Sequence, residues 1–164
     1  MKTLLALTSL IFFSSGVFAN DFRSRNFGDS CEGIQQDELA LSSTLDESNT
    51  SDRSYGFDTV FLDRMVKVGY FCDDTNKFVK GLYWFKFTSK SEQEDFLEVT
   101  LPRLKIEYGE PESDSFVRVD EEAEDIYFDL FWKQGRTRIH ASLTGNFDEP
   151  TPEKLLTLWF QPIE

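Results

Sequence analysis

An apolar set of side chains alternates with a mixed set over a segment in the last third of the chain. The two sets are Ile126, Phe128, Leu130 and Trp132 on one side and Tyr127, Asp129, Phe131 and Lys133 on the other. A period of two residues is the pattern of a β-strand with one buried face. The segment therefore predicts a sheet and excludes an all-helical fold.

Similar patterns predict strands elsewhere in the chain. The segments are 57–62, 66–72, 78–87, 139–143 and 155–160, with a short strand at 116–119 in an acidic loop. Within 78–87, the alternation places Val79, Tyr83, Phe85 and Phe87 on one face and Leu82 and Trp84 on the other. The connections between consecutive strands are short, which favours antiparallel neighbours.

Two helices are predicted, and the first is weak. Asp29 or Ser30 can cap it, it runs to about Leu41, and Gly33 lowers its propensity. Its apolar contacts would come from Cys31, Ile34, Leu39 and Leu41. The polar segment 42–54 that follows predicts a loop, and it contains the sequon that begins at Asn49.

The second helix has stronger signals. Ser91 and Glu94 have the spacing of a capping box, and Gly109 marks the end. An apolar stripe at helical spacing consists of Leu97, Leu101, Leu104 and Tyr108. Pro102 lies inside this helix and predicts a kink, because its ring clashes with the carbonyl of Glu98 and it lacks an N–H.

These elements predict an α+β fold. It is an antiparallel sheet of about six strands in the order helix, three strands, helix, three strands, with both helices on one face. The predicted working protein is one domain over residues 20–164, and residues 20–27 look like a loose leader before it.

Residues 1–19 predict a cleavable signal peptide. Lys2 is followed by an apolar run and then by Val17, Phe18 and Ala19, which fit the cleavage rule. An uncleaved anchor is the alternative, but a membrane span needs about 20 apolar residues and Ser, Thr and Gly interrupt this run. The first cysteine is Cys31, so the cysteine that bears a lipid anchor is missing after the cut. We expect a periplasmic or secreted protein without a membrane anchor.

The charge of the chain bears on its partners. It contains 17 basic and 30 acidic residues, a net charge of −13, which becomes −14 without Lys2. Nucleic acid and anionic membranes are disfavoured, because they are bound through Lys and Arg. A negative field favours encounter with a basic partner. The alternative is that the acidity serves solubility alone.

Two cysteines in an oxidising compartment predict one disulfide, Cys31–Cys72. They are too far apart for a redox pair, and with one histidine they are too few for a structural zinc site. That histidine, His140, lies on the polar side of its strand beside Arg138, where an ordinary surface role is favoured over catalysis. Asp73–Asp74 and residues 121–125 could offer oxygen ligands to calcium, but they do not follow the EF-hand pattern and fit solvated turns. We expect no catalytic residues, no metal and no cofactor.

Large aromatic residues occur on the side of the strands opposite the predicted core. They are Trp84, Tyr127, Phe131 and Trp159. Exposed apolar patches mark contact surfaces, and Trp and Tyr are common at binding hot spots. The alternatives are that the leader, the long loop or a second copy in a homodimer covers this side, or that one strand has the other parity.

Two short motifs flank the helices: Phe27-Gly28-x-Ser30 before the first, and Tyr108-Gly109-x-Pro111 after the second. With the order of elements, they resemble a group of small exported bacterial proteins whose domains are similar to those of β-lactamase inhibitor protein and of the SmpA/OmlA-type outer-membrane assembly lipoproteins. The resemblance implies a scaffold that holds another protein and has no catalytic machinery. The missing lipid-bearing cysteine departs from the lipoproteins, and no inhibitory residue can be transferred.

The sequence therefore predicts an exported protein-binding module, of an inhibitor or immunity type that masks a basic partner. A cell-envelope assembly or structural factor is the first alternative, and an enzyme or small-ligand binder is the second.

Overall fold

A computed structural model describes residues 20–120, 125–146 and 153–163. The predicted signal peptide lies outside these residues. Eight antiparallel strands form one sheet in the spatial order β1-β2-β3-β4-β8-β7-β6-β5. The strands are β1 (Thr44–Leu45), β2 (Ser54–Phe61), β3 (Arg64–Cys72), β4 (Phe78–Phe87), β5 (Phe116–Asp120), β6 (Asp125–Gln134), β7 (Thr137–Asn146) and β8 (Glu153–Pro162).

The α+β class and the antiparallel pairing are confirmed, whereas the predicted count and order of strands are wrong. Each half contributes four strands after its helix: the polar segment 42–54, predicted as a loop, contains β1, and the short strand predicted at 116–119 is present as β5. β4 and β8 pair at the centre, so the last strand of each half joins the halves. β1 and β5 are the two edge strands of the sheet.

The strand register divides the side chains between two faces. One face packs against the helices and forms the core, with fully buried side chains such as Phe57, Trp132 and Leu158. The parity predicted for the last third is confirmed at Phe128, Leu130 and Trp132, each no more than 4% exposed. The other face is not covered by a helix and is called the open face below.

A β-bulge at the start of β4 changes one predicted position. Phe71 pairs with Lys80, but the next residue, Cys72, pairs with Phe78, so Val79 is the extra residue. Phe78 is fully buried and Val79 is 37% exposed, so the prediction that Val79 shares the face of Tyr83 is wrong. A bulge shifts the parity of all residues before it.

The first helix, α1 (Ile34–Ala40), is shorter and turned differently than predicted. It begins after Gly33 in the left-handed region, without a side-chain cap from Asp29 or Ser30. Leu39 and Leu41 are half exposed, contrary to expectation, because Glu38 occupies the inner face.

Glu38 is completely buried in a polar network. Its carboxylate accepts hydrogen bonds from Arg23 Nε at 2.7 Å, from Ser43 Oγ at 2.6 Å and from the Tyr70 hydroxyl. Burial raises the pKa of Tyr70, and the charge of Glu38 raises it further, so the hydroxyl remains a donor. This network explains why the charged residue Glu38 faces the protein core while Leu39 and Leu41 are exposed.

The second helical segment contains a π turn that accommodates Pro102. It consists of α2 (Lys90–Asp95), a π turn (Phe96–Thr100) and α3 (Leu101–Tyr108), with Pro102 in the first turn of α3. A π turn is wider than an α-helical turn. The carbonyl groups that precede Pro102 therefore do not depend on the N–H that proline lacks. The turn also rotates the buried stripe, so that Phe96 is 1% exposed while Leu97 is only half-buried.

The cap of α2 lies two residues before the predicted one. Ser89 Oγ accepts a hydrogen bond from Glu92 N, and the Glu92 carboxylate accepts one from Thr88 N. The capping chemistry is as predicted but uses Ser89 and Glu92 in place of Ser91 and Glu94. Gly109 ends α3 with a φ of 85°, as the sequence predicts.

The segment 20–27 is part of the fold and not a loose leader. Phe22 is 2% exposed, and its ring centre lies 4.8 Å from that of Phe160 and 5.2 Å from that of Tyr83. It occupies the space over Gly81, where a Cβ would come within 2.3 Å of the ring. The segment thus seals the core where the two halves meet.

The predicted disulfide is confirmed. Cys31 and Cys72 are bonded, which ties the approach to α1 to the end of β3. Across the described residues, no helix is long and apolar enough to cross a membrane.

Candidate protein-binding face

All four aromatic residues singled out from the sequence lie on the open face. Trp84 is on β4, Tyr127 and Phe131 are on β6 and Trp159 is on β8, each in register with open-face residues of the neighbouring strands. The structure does not bring them into one cluster. Phe131 and Trp159 belong to a common row, whereas Trp84 and Tyr127 lie apart from it.

The row runs across five strands. Trp159 is 5.9 Å from Phe71 between ring centres, and it pairs across strands with His140. His140 stacks on Phe131 at 4.4 Å with an angle of 14° between the rings. Phe71, Trp159, His140 and Phe131, called the aromatic row below, therefore connect β3 to β6 across the centre of the sheet.

Trp84 has a structural role beside this row. Its ring lies over Gly69 of β3, where an added Cβ would come within 2.8 Å of the ring. The loop between β1 and β2 packs next to it, since Asn49 occupies the space that a Cβ on Gly56 would need. The long loop thus covers one end of the open face, which the sequence offered as one of several alternatives.

Cations lie against the rings of the open face. Lys80 Nζ is 3.5 Å from the centre of the Trp159 ring, and the guanidinium of Arg138 is 4.8 Å from that of Phe131. At the far edge, the Arg118 guanidinium is 5.1 Å from the Tyr127 ring. Contacts of this kind are worth about 0.5–1 kcal/mol when exposed, and they hold the cation in place.

Sequence reasoning missed these cations and Phe71. Parity alone would have placed Arg138 beside Phe131 on the outer side. Residues that are neighbours across strands can be identified only from the register of the whole sheet. The bulge at Val79 makes it hard to predict from the sequence that Lys80 lies opposite Phe71.

His140 is held by a carboxylate. Its Nε2 contacts Asp129 Oδ1, and both residues are about one-third exposed. A histidine stacked on Phe131 and paired with Asp129 is accounted for by the packing of the open face. The described part of the chain places no second nucleophile or base against it.

The acidic turn at Asp73 is also accounted for locally. The Asp73 carboxylate accepts hydrogen bonds from Thr75 N and Lys77 N at 2.9 Å each, and these bonds lower its pKa. Within the described residues no three His, Cys, Asp or Glu side chains are placed to hold a metal ion. The cluster at 121–125 lies almost wholly outside those residues.

A cleft on the opposite side of the sheet is a second candidate, and it is not predicted from the sequence. It encloses about 730 Å³ between the segment 20–26, the end of α3 and the β6–β7 turn. Its floor is aromatic, with Phe61 stacked on Tyr83 at 4.2 Å. The arginines at its walls are paired, Arg23 with Glu38 and Arg136 with Asp21. The cleft therefore presents an aromatic floor and paired arginines, and Glu107 also lines it.

Comparison with known proteins gives no match: no family model, no curated protein and no solved structure is significantly similar to the chain. Any functional assignment rests on the residues themselves.

Proposed function

We propose that this protein is an exported, non-catalytic protein-binding module, of an inhibitor or immunity type, that contacts its partner through the open face. The observation that carries the proposal is the aromatic row. An antiparallel sheet with one face in water normally carries polar side chains there. Here a row of rings crosses five strands, outside the cover of the helices and of segment 20–27.

The covalent structure supports export. A disulfide between Cys31 and Cys72 is stable in oxidising compartments such as a periplasm or the extracellular medium. The predicted signal peptide at 1–19 indicates the same location. We further propose that the net negative charge favours long-range encounter with a basic partner.

The test is affinity capture from the periplasmic and secreted fractions of the host. Wild type is compared with Phe131→Ala/Trp159→Ala, and with Val99→Ala/Ile106→Ala as the control. The control residues are exposed apolar positions on the helical side. We expect one protein that wild type and control retain and that the open-face variant loses.

The captured protein then separates the alternatives. An inhibitor or immunity protein suppresses a hydrolase or toxin activity of its partner at one-to-one stoichiometry, whereas an assembly factor leaves partner activity unchanged. Equal capture by all three variants would contradict the use of the open face.

A further inference from the structure

The open face carries several basic side chains, although the whole molecule is acidic. Its described side chains include six basic residues, Lys67, Lys80, Lys86, Arg118, Lys133 and Arg138. Among the described acidic side chains, Asp58 and Asp129 share that face, and Asp46 and Glu112 reach it through ion pairs with Lys67 and Lys133. The whole chain has 17 basic and 30 acidic residues. Of the carboxylates at this face, Asp129 contacts the aromatic row through His140, and the others lie at Lys67 and Lys133.

The two cations nearest the row have no acidic neighbour. Among the described residues, no carboxylate lies within ion-pair distance of Lys80 or Arg138, in contrast to Lys67, which pairs with Asp46 and Asp58. Arg138 Nε is buried without a hydrogen-bond partner. Partial burial without a counter-charge lowers the pKa of Lys80. Both groups would gain from a carboxylate supplied from outside.

The position of the cations determines which anion fits. Lys80 lies over the Trp159 ring, and the Phe131 ring contacts both the Arg138 guanidinium and the His140 ring. These contacts take up part of the ring surface on which a sugar could stack. Between the rings, the face presents positive charges that are held in place and surrounded by apolar groups. This combination suits carboxylate side chains on a protein surface better than a glycan.

We infer that the open face binds an acidic, carboxylate-bearing surface of its partner protein, with Lys80 and Arg138 as the central contacts. The inference rests on the proposed function, and it specifies the partner. A partner of net positive charge would meet the acidic remainder of this molecule at long range and would place a local acidic patch on the open face at contact. Charge complementarity of this kind fixes register and excludes wrong partners.

The experiment uses the exported, disulfide-bonded protein and synthetic probes. Poly-glutamate, poly-lysine of equal length and polygalacturonate are titrated, with calorimetry and tryptophan fluorescence as readouts at low and high salt. The variants are Lys80→Glu/Arg138→Glu and Lys80→Ala/Arg138→Ala. The control is Arg53→Glu/Lys105→Glu, which makes the same charge change away from the aromatic row. Equal urea midpoints show that every variant is folded.

We expect poly-glutamate to bind wild type and the control equally, despite the net negative charge of the protein. Reversal of Lys80 and Arg138 should weaken it by about tenfold or more, since each like-charge contact is unfavourable. Failure of poly-glutamate to bind, or equal weakening by the control, would overturn the inference. Tighter binding of polygalacturonate would overturn the assignment of the occupant as a protein.

The outcome can be separated from that of the proposed function. One outcome is that capture finds a partner that needs Phe131 and Trp159 but binds the charge-reversed variant as tightly as wild type. This result would support the protein-binding function and refute the specificity for an acidic surface. If poly-glutamate binds through Lys80 and Arg138 but no protein is captured, the anion site stands without the module.

Discussion

Removal of Arg23 tests the buried network that joins the N-terminal segment to the sheet. Its side chain is 13% exposed and donates from Nε to Glu38, which is completely buried, at 2.7 Å. Arg23→Met keeps most of the apolar length and removes the charge. Glu38 then keeps its hydrogen bonds from Tyr70 and Ser43 but loses its counter-ion.

The expected loss is large because one partner of a buried pair is left behind. Breaking such a pair costs about 3–5 kcal/mol, whereas an exposed pair contributes about 0–1 kcal/mol. The matched control is Lys105→Met, which breaks an ion pair with Glu110 whose side chains are 40% and 79% exposed. At about 3 °C per kcal/mol for a chain of this size, Arg23→Met should lower Tm by about 10 °C or more.

The assay is urea unfolding of the oxidised protein, followed by the fluorescence of tryptophans that include the buried Trp132. The double variant Arg23→Met/Glu38→Gln removes both charges and should recover more than half of the loss. A cost below about 1 kcal/mol for Arg23→Met would refute the reasoning, because it would equal that of an exposed pair. A double variant as unstable as the sum of the two single variants would do the same.

Three further predictions concern the core, the disulfide and acid. Gly81→Ala should cost about 1–3 kcal/mol by overpacking against Phe22, and much less in a Phe22→Ala background, as measured by a double-mutant cycle in urea. Cys31→Ala/Cys72→Ala should lower the free energy of unfolding by about 4 kcal/mol, since the bond closes a loop with a sequence separation of 41; an unchanged urea midpoint would contradict this. Burial opposes ionisation of Asp21, but the hydrogen bonds from Arg136 and neighbouring groups prevail and lower its pKa. Its contribution is therefore present above about pH 4 and is lost as pH falls, and Asp21→Asn should flatten this acid-side loss in pH-dependent unfolding.

The local pattern predicted much of one face of the sheet. Alternation at Phe128, Leu130 and Trp132 was sufficient, because each strand there packs one side against a helix layer. The same argument failed at Val79, since a bulge adds a residue whose effect on parity has no signal in the local sequence.

The N-terminal segment shows a different limit. Residues 20–27 lack periodicity, so the sequence suggested a loose leader. Their order comes from contacts far along the chain: Phe22 against Phe160, and Asp21 against Arg136. Such contacts depend on tertiary structure, which local propensity does not contain.

Within the candidate site, the composition of the whole chain does not describe the charge around the aromatic row. Averaged over the chain, acidic residues outnumber basic ones, which suggests a basic partner. Strand parity places Lys80 and Arg138 on the side opposite the core, where no described carboxylate lies within ion-pair distance of either. A partner on the open face meets the local charge, because charges beyond about 8–10 Å are largely screened at physiological salt. When one face of a sheet is uncovered, the charge of a contact surface on that face should therefore be judged from the outward-facing positions of the strands. Net charge bears on encounter and solubility.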